Sequence, residues 1–426
     1  MTRSIAIVGS GPGGIYCAEA LNKRLPEARI DVIDRLPVPY GLVRAGVAPD
    51  HQGTKAITRV FDRILQKPGI RFCGNVSVGR DVGFAELQAA YDAVVLATGA
   101  HVDRRLGIPG EALAGVHGSA AFVFWYNGHA DFAATPVDLS AVASVAVIGN
   151  GNVAIDVARV LAKTADEMAK SDLADHAATA IRAAAVKDIH LIGRRGPVEA
   201  SFTNAELAEL GRLQRTVPLV DAADLPASVG EVEESQRKVK EANLATLRAF
   251  AANRPGEKPV RLHFHFHATP VALLGEGRVA GVRLARGGRQ FDLPAELVVT
   301  CIGYGVGAAL DLPSDAARGT FANQAGRVAP RLYAVGWAKR GPSGVIATNR
   351  ADSFAVADLI LADLAQSGDP PRPGPAALDE LLQARGVRVV GFADWLKIDA
   401  AERAAALSGA PRRKIVERAA MLALLQ

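Results

Sequence analysis

Gly9, Gly11 and Gly14 form a G-x-G-x-x-G run, with Gly13 inside it. In such a run the first glycine permits a tight turn. The second lets the main chain approach a pyrophosphate, and the third lets helix and strand pack closely. Asp34 closes the next apolar stretch, where a carboxylate can accept hydrogen bonds from a ribose diol. Gly149, Gly151 and Ala154 repeat the pattern, with alanine third and Asn152 and Val153 in the turn. The apolar stretch after this second turn ends in Arg194-Arg195 instead of an acid. A carboxylate there would repel a 2′-phosphate, whereas two guanidinium groups offer it charge-assisted, fork-like bonds. The chain thus carries two dinucleotide turns of unequal chemistry, and the second favours NADP(H) over NAD(H).

Each turn needs a strand before it and a helix after it. Residues 5–8 and 144–148 are short apolar strands. Helical stretches run over 15–25 and to Leu161, and further strands cover 30–33 and 189–192. Residues 94–96 end in Ala97-Thr98-Gly99, and the strand at 297–302 ends in Gly303. The repeat predicts an α/β protein with two Rossmann-like domains, parallel sheets and helices on both faces. The natural topology inserts the second domain into the first. We expect residues 1–106 to form the first part of one domain, 107–302 the other domain, and 303–426 the return with a helical tail. Residues 164–186 read as an alanine-rich helix and 231–252 as a polar helix. Strands at 262–268 and 281–284 are expected to be joined through Gly275-Glu276-Gly277. The Pro/Gly-rich stretch 367–375 reads as a linker.

Composition narrows the function. The chain has 426 residues, 49% of them hydrophobic, enough for more than one core. Its three cysteines, Cys17, Cys73 and Cys301, include no C-x-x-C pair. That excludes the dithiol of a disulfide reductase and a cysteine-ligated iron–sulfur cluster within the chain. The formal charge of +5 permits an acidic protein partner. No dense basic tract with aromatics points to nucleic acid. No long uncharged apolar run predicts stable membrane insertion. A strand opens at Ile5, leaving no room for a leader, so a cytoplasmic location is expected.

The stretch from Pro37 to His51 is an unusual proline-rich loop to follow such a strand. It resembles the signature of the adrenodoxin reductase-like ferredoxin–NADP⁺ reductases. Segments 122–129, 149–156, 194–197 with 201–203, and 336–346 agree with it in order. The resemblance implies a glutathione reductase-like fold with FAD on the first domain and NADP(H) on the second. It implies a flavin that takes a hydride and passes single electrons to a ferredoxin, an iron–sulfur carrier expected to be acidic. It assigns FAD to the Gly9–Gly14 turn, Asp34, Leu42, Val76, Trp337, Gly344, Val345 and Ile346. It assigns NADP(H) to Gly149, Gly151, Asn152, Val153, Arg194, Arg195, Glu206 and Gly344. His51, Asp156 and Glu209 match polar positions near the nicotinamide or between the domains, and stand as catalytic candidates. Hydride transfer itself needs no side-chain acid or base, so these three can equally orient or tune the site.

Two residues depart from the family pattern. Ala45 stands where an aromatic residue is usual, and Glu199 where glutamine is common. The second puts a negative charge near the expected phosphate site. His263, His265 and His267 alternate, so a strand would present all three on one face. Without a nearby acid or cysteine in the pattern they read as an ordinary strand, and no metal site is expected. Rival functions on this scaffold are an FAD/NADP-dependent monooxygenase and a slow-turnover redox-carrier module.

Overall fold

The structure, a computed structural model, describes residues 2–307 and 312–426. They divide into two compact units. The first runs to Val102 and resumes over Tyr304–Leu407 and Arg412–Gln426; the second holds Asp103–Gly303 and Ser408–Pro411. The chain thus leaves the first unit after residue 102 and re-enters it at 304. Asp103 goes with the second unit because its carboxylate accepts the Ala120 N–H at 2.8 Å, at the start of helix Ser119–Asn127.

In the first unit, Ser4–Val8 is the centre of a six-stranded sheet. It pairs in parallel with Arg29–Ile33 on one side and Ala93–Leu96 on the other. Ile70–Cys73 and Leu332–Ala334 extend the sheet in parallel, and Arg327–Ala329 adds an antiparallel edge. The central strand is buried throughout, as an unbroken apolar run covered on both faces must be. Alternate residues face opposite ways. Ile5 and Ile7 join a core with Ile15, Leu21 and Val356. Ala6 and Val8 join another with Val82, Leu87 and Leu378.

The second unit repeats this plan with six parallel strands. Ser144–Ile148 lies between Leu297–Thr300 and Asp188–Ile192. Val116–Gly118 flanks the first of these, and Val260–His265 then Thr216–Val220 continue beyond the second. A separate antiparallel sheet holds Thr269–Leu274, Gly281–Arg286 and Arg289–Pro294.

Three expectations shift here. The Gly275–Gly277 connection joins Gly281–Arg286 to Thr269–Leu274, not to the histidine strand. That strand ends at His265 and belongs to the parallel sheet, because it pairs with Asp188–Ile192 in register. The stretch 164–186 forms two helices, Ala165–Met168 and Asp175–Ala183, with Thr164 capping the first through the Glu167 N–H.

Candidate functional site

The first turn is shaped by steric need. Gly9 has φ 113°, and a Cβ there would lie 2.4 Å from the Ala97 carbonyl oxygen. A Cβ at Gly14 would lie 2.0 Å from the Gly9 oxygen. At Gly11 it would meet nothing within 4 Å, so the main chain is open there to an approaching group. Helix Pro12–Arg24 begins at this point, and among the described residues no side chain caps it. Uncapped N–H groups at a helix start are a phosphate cradle.

Asp34 is engaged more fully than its spacing alone suggests. Its carboxylate accepts from the Ser10 N–H at 2.9 Å, the Ser10 hydroxyl at 2.5 Å and the Leu36 N–H at 3.0 Å. A carboxylate offers about four acceptor positions, so these bonds fix the turn and leave capacity for a ribose hydroxyl.

Tyr40 donates its N–H to the Ser10 carbonyl at 3.0 Å. A Cβ at Gly41 would lie 3.0 Å from Gly11 Cα, so the proline-rich loop passes close over the turn. Leu42, half-buried, opens the short helix Leu42–Ala45. Ala45, the departure from the family's aromatic, is buried. Val76 is also buried and donates its N–H to the Asp34 carbonyl at 2.9 Å. His51 lies in this unit, at the start of Gln52–Lys55.

Trp337 stacks with Tyr304 at 6.4 Å between ring centroids, and its indole N–H donates to the Ser343 carbonyl at 3.1 Å. Gly344 and Val345 precede the long helix Ile346–Gln366, whose first turn holds no acid. Val345 is 67% exposed, an apolar side chain left open at a helix start. An open apolar surface beside a tryptophan and unacidic helix N–H groups suit a flat ring that gains negative charge.

The second turn repeats the steric logic. Gly149 has φ 145°, and a Cβ there would lie 2.3 Å from the Cys301 carbonyl oxygen. Ala154 is fully buried, so a methyl group is tolerated at the third position. Helix Asn152–Ala162 again begins without a side-chain cap among the described residues. Ser201 donates its N–H to the Asn150 carbonyl at 2.8 Å, and Thr203 donates its own to Asn152 Oδ1 at 2.8 Å. The segment around Ser201 thereby closes on the turn. Val153 is half-buried beside it. Arg194 and Arg195 are exposed, and among the described residues neither guanidinium has a hydrogen bond or ion pair.

Asp156, Glu206 and Glu209 come together around a residue that the motifs do not reveal. Arg159 is fully buried and pairs with Asp156 at 2.8 Å, Glu206 at 3.2 Å and Glu209 at 3.4 Å. A buried guanidinium needs such partners, because its desolvation is otherwise uncompensated. The one local signal was Asp156 and Arg159 at i,i+3 on a helix. The three carboxylates belong to the second unit, and His51 to the first.

At all three cysteines burial disfavours the thiolate. Burial pushes Cys17 up to about 12, and raises Cys73 and Cys301 as well. A thiol so held is neither nucleophile nor ready redox partner. Of the alternating histidines, only His263 and His265 lie on the strand. His190, from the adjacent strand, joins them, with Nδ1 3.0 Å from His265 Nε2. His267 leaves the face because its backbone turns to φ 54°.

The chain matches the family described as pyridine nucleotide-disulphide oxidoreductase over residues 3–347. It is 39% identical over 447 aligned residues to the NADPH-ferredoxin reductase FprA of Mycobacterium tuberculosis, covering 98% of each chain. It is 41% identical over 456 aligned residues to the mitochondrial NADPH:adrenodoxin oxidoreductase of Homo sapiens, covering 100% of this chain and 92% of that one. The solved structure of Mycobacterium tuberculosis FprA in complex with NADPH aligns with a TM-score of 0.94 at 39% identity. That alignment covers 100% of this chain and 99% of the other.

Proposed function

The chain belongs to the pyridine nucleotide-disulphide oxidoreductase family and to its adrenodoxin reductase-like branch, and from that premise we propose an FAD-dependent NADPH–ferredoxin reductase. The observation that carries the reading is the inequality of the two turns. One is closed by Asp34, and the other by two exposed arginines that have no partner among the described residues. The family's name includes disulfide reductases, but this sequence has no paired cysteines, so electrons must leave to a separate acceptor.

When bound, FAD supplies the conversion between the two-electron hydride of NADPH and the single electrons of an iron–sulfur centre. The residues fit that group: Gly9, Gly11, Gly13, Gly14 and the start of Pro12–Arg24 would hold its pyrophosphate, and Asp34 its ribose. Leu42 and Val76 flank that turn. Trp337, Gly344, Val345 and Ile346 would hold the ring, with helix N–H groups favouring its reduced, anionic form. Gly149, Gly151, Asn152 and Val153 would bind the coenzyme pyrophosphate, and Arg194 and Arg195 its 2′-phosphate. The family resemblance also assigns Gly344 to NADP(H). Asp156, Glu206 and Glu209 act through Arg159, which anchors the helix that follows the second turn. His51, at the start of Gln52–Lys55, would act at the site or orient it. An acidic ferredoxin suits the net charge of +5, and three cysteines with no C-x-x-C pair suit a reducing, cytoplasmic setting.

Steady-state oxidation of NADPH with cytochrome c as final acceptor, with and without ferredoxin, tests this. Added ferredoxin should raise the turnover several-fold. If NADPH reduces the flavin but no one-electron carrier accelerates turnover, the reading is wrong.

A further inference from the structure

Along the sequence the alternating histidines have no acid beside them, but the fold brings one to them, together with a further histidine. Strand Val260–His265 pairs in parallel with Asp188–Ile192, which sets His263 opposite His190 and Arg261 opposite Asp188. Residues opposite one another share a face of a sheet, as do residues two apart on one strand. Asp188, His190, His263 and His265 therefore stand on one face within the second unit. His190 is buried, whereas His263 and His265 are half-buried, so the cluster opens to solvent along Val260–His265.

His190 Nδ1 lies 3.0 Å from His265 Nε2. Two metal–nitrogen bonds of about 2.0–2.1 Å spanning that distance enclose roughly 95°, between the cis angle of an octahedral ion and the tetrahedral angle. A neutral imidazole carries one proton and one lone pair. If the proton between the two facing nitrogens moves to an outer ring nitrogen, both lone pairs can turn to one ion. Burial keeps both rings neutral, so neither has to lose a proton to a metal at neutral pH. The His263 ring stacks on His190 at 4.8 Å between centroids. Its Nε2 lies 2.8 Å from Asp188 Oδ1. A carboxylate only accepts, so in the neutral ring Nε2 carries the proton and Nδ1 the lone pair. A carboxylate behind a histidine fixes its tautomer and raises its basicity as a metal ligand.

We propose that His190, His263 and His265 form a site for a divalent ion that prefers imidazole, of the class of Zn²⁺ and Ni²⁺, with Asp188 as a positioning residue. His190 and His265 are the primary pair, and His263 completes the set by rotating about its side-chain bonds. An ion held there ties two adjacent strands together, and one of them leads into Arg194 and Arg195.

Calorimetric titration of Zn²⁺ into the untagged, FAD-loaded full chain, first freed of metal with EDTA, tests this. One saturable site is expected. His265→Gln should weaken it roughly 100-fold, and His263→Gln and Asp188→Asn about tenfold each. His176→Gln, on helix Asp175–Ala183 of the same unit, should leave it unchanged. Zn²⁺ at about 100 times its dissociation constant should raise the melting midpoint of the wild type by several degrees, and that of His265→Gln far less. No saturable site, or a site that His263→Gln and His265→Gln leave unchanged, overturns the proposal. If His265→Gln melts early even in EDTA, His263→Gln decides, because that side chain is 28% exposed and its replacement is tolerated best; an unchanged affinity there sinks the site.

Discussion

Arg194 and Arg195 are exposed cations held at a strand end by a turn that crosses Gly196. Hydrogen bonds to charged groups contribute about 1.5–3 kcal/mol each, so two of them on one phosphate should dominate coenzyme choice. Arg194→Ala with Arg195→Ala is expected to raise KM for NADPH by about 100-fold or more and that for NADH far less. Steady-state kinetics with both coenzymes decides it, and equal effects would sink the assignment. Asp34 shows how one side chain can serve two ends. It holds Ser10 and Leu36 in place, and the same carboxylate keeps capacity for a sugar. Arg159 shows the reverse case, a fully buried cation that sets where three carboxylates stand.

Among the elements, helix Phe392–Ala404 braces the proline-rich loop of the same unit. Fully buried Glu402 accepts from Arg44 Nη1 at 2.9 Å, from Arg412 at 3.1 Å and from the Ile415 N–H at 2.9 Å. Trp395 donates to the Tyr40 hydroxyl at 2.9 Å, and the Arg44 guanidinium lies 5.3 Å from the centre of its ring. Burial pushes the Glu402 carboxyl up, but Arg44, Arg412 and the Ile415 N–H outweigh it and hold it below the usual range. A depressed carboxylate contributes stability above its unfolded pKa of about 4.3, lost as pH falls through the folded value. Glu402→Gln should therefore cost about 3 kcal/mol at neutral pH and loosen FAD retention, with a gap to wild type that narrows in acid. Urea melts across pH, followed by flavin fluorescence, check this; a gap that stays constant below the carboxylate range would contradict it.

The sheet histidines carry the opposite charge logic. Burial, with His263 beside them, pushes His190 down to about 3 and His265 to about 4. They stay neutral in the fold, while the unfolded chain takes protons below about 6.5. Stability of the second unit should be full above about 6.5 and fall as pH drops toward the folded values. His265→Gln is expected to flatten that fall by up to about 1.4 kcal/mol per pH unit. Thermal midpoints between these limits would reveal an unchanged slope if the histidine is not the cause.

At the scale of the molecule, each unit has its own six-stranded sheet and core. One chain thereby holds two dinucleotides by the same backbone device without either competing for the other's turn. Among the described residues no helix is long and apolar enough to cross a membrane. The net charge of +5 acts at longer range. An acidic ferredoxin should be steered to this protein, and steering weakens as the Debye length shrinks. Raising salt from about 0.05 to about 0.5 M should slow ferredoxin reduction roughly tenfold and leave reduction of a neutral quinone almost unchanged. Stopped-flow rates for both acceptors measure it, and parallel slowing would remove the electrostatic argument.

The sequence alone determined the two glycine turns, their order, the charge that closes each, and the absence of a dithiol. These are local properties. A turn that tolerates no Cβ demands glycine wherever it folds, and a charge at a strand end keeps its sign. Tertiary structure alone decided the partners. It gathered Asp156, Glu206 and Glu209 on Arg159, engaged Asp34 with Ser10, and set the Lys240 ammonium on the Ala200 carbonyl. It also took the strand Val260–His265 into the parallel sheet and brought His190 to its histidines. The reason is that burial and pairing depend on neighbours distant in the chain. Spacing along the sequence records the period of a strand or helix, but not which strand lies next to it or which buried charge will need it.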